Sequence, residues 1–460
     1  MNATTTLQGW QFNDPSRSSW DIIWTCLTTI FACTWTVLHQ SVPAKNRSEG
    51  FIFAAKLWVW ILTFLAPEML VFTASEQFWQ VRSLRERCNE AQDTRDRSVE
   101  EPASWLFNRT KTLPASVDSG NGSGSEQVDL YPEHARWTYP QVWVVYMTGL
   151  TLETLDGWWF YVSKDQILQL IQLGVVRCSD FTDREVQDRA KTDTFAKAFT
   201  VCQSTWLTAN IIARAGYGLP ITPFEFSALS YLVCAIMIYA CWWHKPQDMT
   251  VPIVLPLRYT REDLPEEIRA VTDSRKYQWR HRRVIPNRDG TGKGFLSVGK
   301  MLQTVAVDQP AQGSMTRAYK RLSVRDETLL NTFATACGVL FCSIHVAAWT
   351  FAFPTYGEKI AWRVFSLTAL GVVVSINAIA QVPLTLRWLK DNGASLPLSM
   401  QNLADVNGKY TWMEIYGPLP LILVYTLARI GLAVLTVLSM RALPSGAYIA
   451  VDWLGSIPHI

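Results

Sequence analysis

Seven long apolar runs, nearly free of charged residues, constrain this chain more than any other feature. Each is close to the about 20 residues that an α-helix needs to cross a bilayer. Only helices satisfy their own backbone hydrogen bonds in hydrocarbon, so repeated runs of this kind predict a helical bundle. The runs are Ile22–Leu38, Leu57–Ser75, Ala198–Ala213, Phe226–Trp243, Thr332–Phe353, Val364–Leu386 and Ile415–Met440. We expect an all-α polytopic membrane protein with about seven transmembrane helices.

Two long polar loops divide the predicted spans into three groups. The resulting segments are 1–75 (N-terminal tail and spans one and two), 76–193 (long polar loop with an interfacial helix), 194–243 (spans three and four), 244–328 (long basic loop) and 329–460 (spans five to seven and the C-terminal tail). Lys and Arg concentrate in the two long loops, which the positive-inside rule places in the cytoplasm. With seven spans the N-terminus is then cytoplasmic and the C-terminus luminal. The sequon at Asn46 would be luminal and available for glycosylation.

One further segment, Trp137–Val162, is apolar enough to span but carries Glu153 and Asp156. In a helix these two residues and Trp159 are spaced three apart and fall roughly on one face. We expect an interfacial or re-entrant helix here, with an eighth span as the alternative.

Composition and motifs exclude several classes of function. A net charge of +3 is too small to indicate nucleic-acid binding, and no Cys or His spacing fits a metal site. No motif of a soluble enzyme or of a cofactor site is present. The basic cluster Arg275–Arg283 is typical of a loop that docks to anionic lipid headgroups. Membrane lipids are therefore the first expected partner.

Three ionisable residues lie well inside predicted spans, where a charge costs several kcal/mol unless it faces a partner or a cavity. Glu68 follows Pro67, which removes a backbone donor and kinks a helix. His345 and Arg429 lie near the middle of spans five and seven. One interpretation is a buried Glu68–Arg429 ion pair that stabilises the bundle. The other is proton transfer by Glu68 over a lipophilic cavity, and the sequence leaves both open.

Two amides, Asn377 and Gln381, are four residues apart and share one face of span six, just before a proline. They suit hydrogen bonds between helices, or a polar path for a substrate. We list them with His345 and Arg429 as candidate substrate-binding residues.

Three segments carry a resemblance to a known family: GWQFNDPSRSSWDIIWTCLTTIFACTWTVLHQSVP, LAPEML and GLPITPFEFSALSYLVCAIMIYACWWHKPQDM. They resemble a large, mostly uncharacterised family of polytopic membrane proteins of filamentous fungi, some encoded in specialised-metabolite gene clusters. This chain reads Arg17-Ser-Ser where most relatives read Arg-Gly-Thr. The resemblance implies fungal origin and an endomembrane location such as the endoplasmic reticulum. It implies no catalytic residues.

Two classes of function fit these features. The first is a membrane-embedded enzyme, such as a cyclase or isomerase, that acts on a lipophilic metabolite. Glu68, Asp21 and His39 are its candidate catalytic residues, and Trp24 and Trp35 are candidates for stabilising cationic character. The second is a transporter or exporter of such a metabolite, although no internal repeat is evident. A receptor-like protein, or a scaffold that binds soluble pathway enzymes through its loops, is a further alternative.

Overall fold

The computed structural model describes residues 6–12, 16–43, 49–98, 135–190, 194–273, 279–281, 324–395, 397 and 419–451. The helices in this part are α1 (Ser19–Thr36), α2 (Glu49–Leu65), α3 (Pro67–Ser98), α4 (Tyr139–Tyr146), α5 (Ile167–Gln172), α6 (Asp183–Arg189), α7 (Thr194–Gly216), α8 (Pro223–Cys241), α9 (Glu266–Thr272), α10 (Val324–Ala347), α11 (Tyr356–Asp391) and α12 (Leu419–Ser439). The strands are β1 (Leu7–Gly9), β2 (Leu150–Glu153), β3 (Trp158–Tyr161), β4 (Ile253–Pro256), β5 (Arg280–His281) and β6 (Ala442–Pro444).

The long helices pack side by side in one bundle. Helix α1 packs against α7 and α8, α3 lies between α8 and α10, and α11 packs against both α10 and α12. In the described part of the chain, four helical segments are long and apolar enough to cross a membrane: Pro223–Cys241, Thr328–Thr350, Tyr356–Asp391 and Leu419–Ser439. The bent pair of α2 and α3 is a fifth candidate. The expected membrane-protein class is supported, whereas seven spans are not confirmed.

Helix α1 is not among these candidates, and its polar residues include Asp21 and several threonines. In α1 the hydroxyls of Thr28, Thr29, Thr34 and Thr36 donate to carbonyls about one turn earlier. This back-bonding satisfies each hydroxyl inside a bundle, but hydroxyls still lower the mean hydropathy of the helix. Helix α1 therefore packs within the bundle although its mean hydropathy is lower than that of the four candidate spans.

The second predicted span is broken at Pro67, as the sequence predicts. Helix α2 ends at Leu65, α3 begins at Pro67, and the two axes are bent by 112°. A proline is tolerated at the first helical position because the N–H it lacks would have no partner there. The expected kink is confirmed, and it is a full break.

Both arms of this break lead back to the same end of the bundle. In α2, Lys56 forms an ion pair with Asp248 at 2.8 Å. In α3, Gln77 accepts a hydrogen bond from Lys245 at 2.9 Å. Since Asp248 and Lys245 both follow the C-terminal end of α8, α2 and α3 form a re-entrant hairpin, whose tip lies beside Tyr231 near the middle of α8.

Segments of the two long loops join in one four-stranded sheet at this end, in the order β4-β2-β3-β5. Strands β2 and β3 come from the first loop, and β4 and β5 come from the second. β2 is parallel to β4, with Leu150 opposite Ile253, and antiparallel to β3. Segments of both long loops therefore lie at one end of the bundle, and the sheet departs from the all-α class.

The segment Trp137–Val162 is neither a span nor a re-entrant helix. It folds as the short α4 followed by the β2–β3 hairpin. Glu153 pairs with Trp159 across the strands, while Asp156 lies in the turn before Gly157, whose φ is +82°. The expected common helix face of Glu153, Asp156 and Trp159 was therefore wrong. An Asp-Gly pair between apolar runs indicates a hairpin turn, and here it outweighs the helical spacing.

Part of the basic cluster also belongs to this sheet. Trp279 is buried against Phe160, with ring centroids 5.4 Å apart, and Arg280–His281 forms β5. Within a cluster expected to dock to headgroups, the Trp279 ring therefore packs inside the protein instead. Residues 275–278 and 282–283 of the cluster, and the sequon at Asn46, lie outside the described residues.

The first and last strands meet at the opposite end of the bundle. β1 pairs antiparallel with β6, with Leu7 opposite Pro444. Next to them, Arg17 forms an ion pair with Glu225 in the first turn of α8, at 2.5 Å. The expectation that the two termini lie on opposite sides is therefore wrong. One physical reason is the break at Pro67, because both arms of the bent α2–α3 pair lead to the sheet end of the bundle.

We predict that tags after Phe12 and after Val451 report the same side of the membrane. A tag inserted at Gly120, between α3 and α4, should report the other side, because α3 and α4 both lead to the sheet end. Glycosylation-site and cysteine-labelling reporters measure this. Opposite sides for the two terminal tags would contradict the hairpin.

Close packing of α11 and α12 gives a second prediction. A methyl group at Gly431 would lie 2.5 Å from the Phe365 ring, whereas one at Gly371 meets nothing within 4 Å. Overpacking typically costs about 1–3 kcal/mol. Gly431→Ala should lower the thermal midpoint of the purified protein, and Gly371→Ala should leave it unchanged or raise it. Equal midpoints for the two variants would mean that the helices separate freely.

Candidate functional site at the helix break

The helix break places unpaired backbone groups inside the bundle. The last carbonyls of a helix have no partner within it, and in an apolar environment they need one from elsewhere. The Tyr231 hydroxyl donates to the Phe64 carbonyl at 2.6 Å. Arg429 donates from Nε to the Leu65 carbonyl at 3.1 Å. Side chains of α8 and α12 thus close the C-terminal end of α2.

Charge at the break follows the helix dipoles. The C-terminal end of a helix carries partial negative charge, and the N-terminal end carries partial positive charge. Arg429 lies at the end of α2, and Glu68 lies in the first turn of α3. Each charged side chain therefore sits at the helix end that favours it.

Arg429 is the centre of this cluster. Besides Leu65, its guanidinium donates to the Tyr231 hydroxyl at 3.2 Å and to His345 Nε2 at 3.3 Å. It also lies over the Phe341 ring, 4.4 Å from the centroid. Because a guanidinium only donates, His345 Nε2 accepts. Nδ1 of His345 then carries the proton and donates to the Phe341 carbonyl at 3.1 Å, which makes this imidazole neutral.

Glu68 occupies the other side of the break. Its Oε1 accepts a hydrogen bond from the Tyr425 hydroxyl at 2.5 Å, and the residue is only 6% exposed. Among the described residues, Oε2 is buried without a hydrogen-bond partner. A carboxyl oxygen in this state is costly to bury and is free to exchange a proton. Tyr425 and Arg429 are four residues apart, so one face of α12 supplies both contacts to the break.

The expected Glu68–Arg429 ion pair is replaced by a wider cluster. Within the described part of the chain, no ion pair joins the two side chains, and the Arg429 contacts go to Leu65, Tyr231 and His345. The structure does bring Glu68, His345 and Arg429 together, as their positions in the spans suggested. Sequence reasoning missed Tyr425, although its spacing from Arg429 could have identified it. It also missed Tyr231, for which the sequence holds no signal.

The other two candidate catalytic residues lie away from this cluster. Asp21 caps the start of α1: its carboxylate accepts from the Ser18 backbone N–H at 2.9 Å and from the Ser18 hydroxyl at 2.7 Å. His39 follows the opposite end of α1, with Nδ1 2.9 Å from the Val37 carbonyl. About 22 Å of helix, from Asp21 to the end of α1 at Thr36, separates Asp21 from the segment that carries His39, at 1.5 Å per residue.

Trp24 and Trp35 also lie outside the cluster, on the outer part of the bundle. Trp24 is 58% exposed and stacks on Trp20 at 6.0 Å. Trp35 packs against Phe31 and Trp60, with Lys56 over its ring at 5.1 Å. These positions suit an aromatic belt at the membrane surface.

Asn377 and Gln381 form a polar stripe between α10 and α11. Gln381 lies 3.5 Å from the Thr332 hydroxyl, while Asn377 Oδ1 and Asn331 Nδ2 are buried without partners among the described residues. Asn377 is one turn from Val373, which packs beside Gly338 next to Glu68. The stripe therefore runs from the level of Glu68 towards the sheet end. No group of metal-ligating side chains is found in the described residues.

We predict that removing the Arg429 guanidinium destabilises the bundle. Arg429→Met leaves the Leu65 carbonyl without its donor, and an unsatisfied buried polar group costs about 1–3 kcal/mol. The thermal midpoint of the purified protein should fall, with Arg429→Lys intermediate. Arg441→Met is the matched control, because Arg441 is exposed and its ion pair with Glu358 contributes little. Equal losses in Arg429→Met and Arg441→Met would contradict the role of Arg429 at the break.

Comparison with known proteins identifies a family. No curated protein and no solved structure matches the chain. A family model does match residues 2–268, which include α1, the α2–α3 hairpin, the sheet strands β2 to β4, and α8 with Tyr231. Because this match covers more than half of the 460 residues, the chain belongs to the family described as "Family of unknown function (DUF8562)".

Proposed function

We propose that this chain is a multi-pass enzyme of an endomembrane, such as the endoplasmic reticulum, that isomerises a lipophilic metabolite by proton transfer. The observation that carries the proposal is the buried Glu68 carboxyl, whose Oε2 has no hydrogen-bond partner among the described residues. Structural carboxylates in apolar surroundings normally have all their oxygens paired. One free oxygen beside a fixed tyrosine suits a general base or acid.

Charge around Glu68 favours one type of chemistry. The Arg429 guanidinium is a fixed positive charge beside the carboxyl, while the hydroxyl protons of Tyr231 and Tyr425 are already donated to the Phe64 carbonyl and to Glu68. Such a site disfavours a carbocation and stabilises negative charge that develops on a substrate oxygen. Among the reactions considered, isomerisation through an enolate therefore fits better than a cationic cyclisation.

The proposed step balances without a cofactor. The Glu68 carboxylate removes a proton from the carbon next to a substrate carbonyl, and the C–H electron pair forms the enolate. The protonated Glu68 then returns the proton to a conjugated carbon, so the double bond moves and no atom is oxidised or reduced. Tyr425, which touches the carboxyl, and Arg429 position these groups and stabilise charge.

A second candidate function, export of a lipophilic metabolite, is favoured by the polar stripe of Asn377 and Gln381 beside the helix break. Transporters commonly bind substrate at interrupted helices. Metabolite profiles distinguish the two. A deletion strain that accumulates an unconverted intermediate supports the enzyme, and one that retains the finished product inside cells supports export.

We predict that Glu68→Gln fails to restore product in the deletion strain at normal protein level, because the amide keeps the shape and cannot take up a proton. Glu68→Asp should restore part of it. Glu358→Gln is the matched control, since Glu358 lies at the far end of the bundle and pairs with Arg441, and it should restore product fully. Full product from Glu68→Gln would remove Glu68 from the mechanism.

Solvent exchange tests the proton transfer itself. In deuterated water, membranes that contain the wild-type protein should introduce deuterium into the accumulated intermediate, and Glu68→Gln membranes should not. Equal deuterium incorporation in both would contradict a base at this position.

A further inference from the structure

A second polar cluster lies at the sheet end of the bundle, where α1 and α8 end. Trp242 caps α8, and its ring lies between two basic side chains. Lys245 Nζ is 3.9 Å from the ring centroid of Trp242, and the His39 ring is 5.5 Å from it. Trp242 is 11 residues from Tyr231, about 16 Å along the helix, so this cluster is separate from the helix break.

Lys245 is buried and has no counterion among the residues that the structure describes. It is 6% exposed, and its Nζ donates to the amide oxygen of Gln77 at 2.9 Å and faces the rings of Trp242 and Trp143. Burial lowers the pKa of Lys245 to about 7, and no carboxylate in the described residues offsets this. Buried charges in proteins are normally paired, because an isolated one is costly.

Further positive charge converges on the same place. Burial lowers the pKa of His39 to about 3; the Val37 carbonyl opposes this shift, and the ammonium groups of Lys245, Lys197 and Lys56 add to it. Asp248 neutralises Lys56. Lys197, and Lys245 when it is protonated, are therefore the positive charges near a buried imidazole that stays neutral.

Two buried hydrogen-bonding atoms here are unsatisfied. Among the described residues, neither Trp242 Nε1, a donor, nor Gln247 Oε1, an acceptor, has a partner. The other end of the Gln247 amide donates to the Thr36 carbonyl at 2.9 Å, which ties this side chain to the end of α1. A group with anionic oxygens and a hydroxyl would satisfy both atoms at once.

We propose that Lys245, Trp242 and Gln247 form a binding site for the phosphate or carboxylate head of an amphiphile, with Lys197 as a nearby positive charge. The Lys245 ammonium group and the indole N–H bind the anionic oxygens, and Gln247 Oε1 accepts from a hydroxyl of the ligand. The place fits, because the neighbouring Trp243 is 77% exposed at the end of a membrane-spanning helix, where headgroups lie. The site does not depend on proton transfer by Glu68.

Native mass spectrometry of the full-length protein in neutral detergent tests this site, with dioleoyl phosphatidic acid as the probe and dioleoyl phosphatidylcholine as the neutral comparison. The wild type should retain phosphatidic acid in preference to phosphatidylcholine. Lys245→Met should weaken its retention by about ten-fold, since charge-assisted contacts are lost. Lys390→Gln, an exposed lysine at the same end, should retain it as the wild type does.

Two further measurements distinguish a lipid from a free phosphate compound as the ligand and control for misfolding. A higher thermal midpoint of the protein with inorganic phosphate alone would indicate that a free phosphate compound suffices. An unchanged midpoint would indicate that binding to the same anionic site requires acyl chains. Lys197→Gln, on the partly exposed α7, leaves the buried groups intact and should weaken retention without lowering the thermal midpoint. Equal retention of both lipids, or unchanged retention of phosphatidic acid in Lys245→Met and Lys197→Gln, would overturn the proposal.

Discussion

The break at Pro67 creates two helix ends inside an apolar bundle, and much of the remaining architecture satisfies them. Tyr231 and Arg429 supply donors to the last carbonyls of α2. Glu68 places negative charge at the start of α3. Because these side chains come from α3, α8 and α12, the break connects helices that are distant in sequence. It also sends α3 back to its own side, which gives the two terminal strands a common end.

The helix break also explains why charged side chains are buried in the middle of the bundle. A continuous helix would need neither a buried arginine nor a buried glutamate at this depth. Once the break exists, Arg429 and Tyr231 are held in place by backbone carbonyls, so they cannot relax towards a substrate or away from it. The proposed proton transfer rests on this fixed positive charge beside a carboxyl oxygen that has no partner among the described residues. The polar stripe of Asn377 and Gln381 then extends from this site towards the sheet end.

Much of the helical bundle could be predicted from the sequence, because long apolar runs indicate membrane helices. Pro67 predicted the kink beside Glu68, but not its angle, because the bend depends on how α8 and α12 hold the ends. The hairpin at Asp156-Gly157 was not predicted, because its two apolar strands resemble part of a span. Their partner strand β4 lies about 100 residues later in the sequence, so no local pattern indicates the sheet. Tyr231 could not be predicted, since nothing local marks a tyrosine that bonds a carbonyl of another helix.

The distance across the hairpin tests the break most directly. Spin labels on cysteines that replace the exposed Phe53 on α2 and Arg82 on α3 report this distance by double electron–electron resonance. The exposed Cys202 is removed from the background. With arms of about 20 Å and 22 Å at 1.5 Å per residue, the 112° bend predicts about 24 Å between the labelled positions. A separation of about 42 Å would show a continuous helix that crosses the membrane, and would contradict the hairpin and the site built around it.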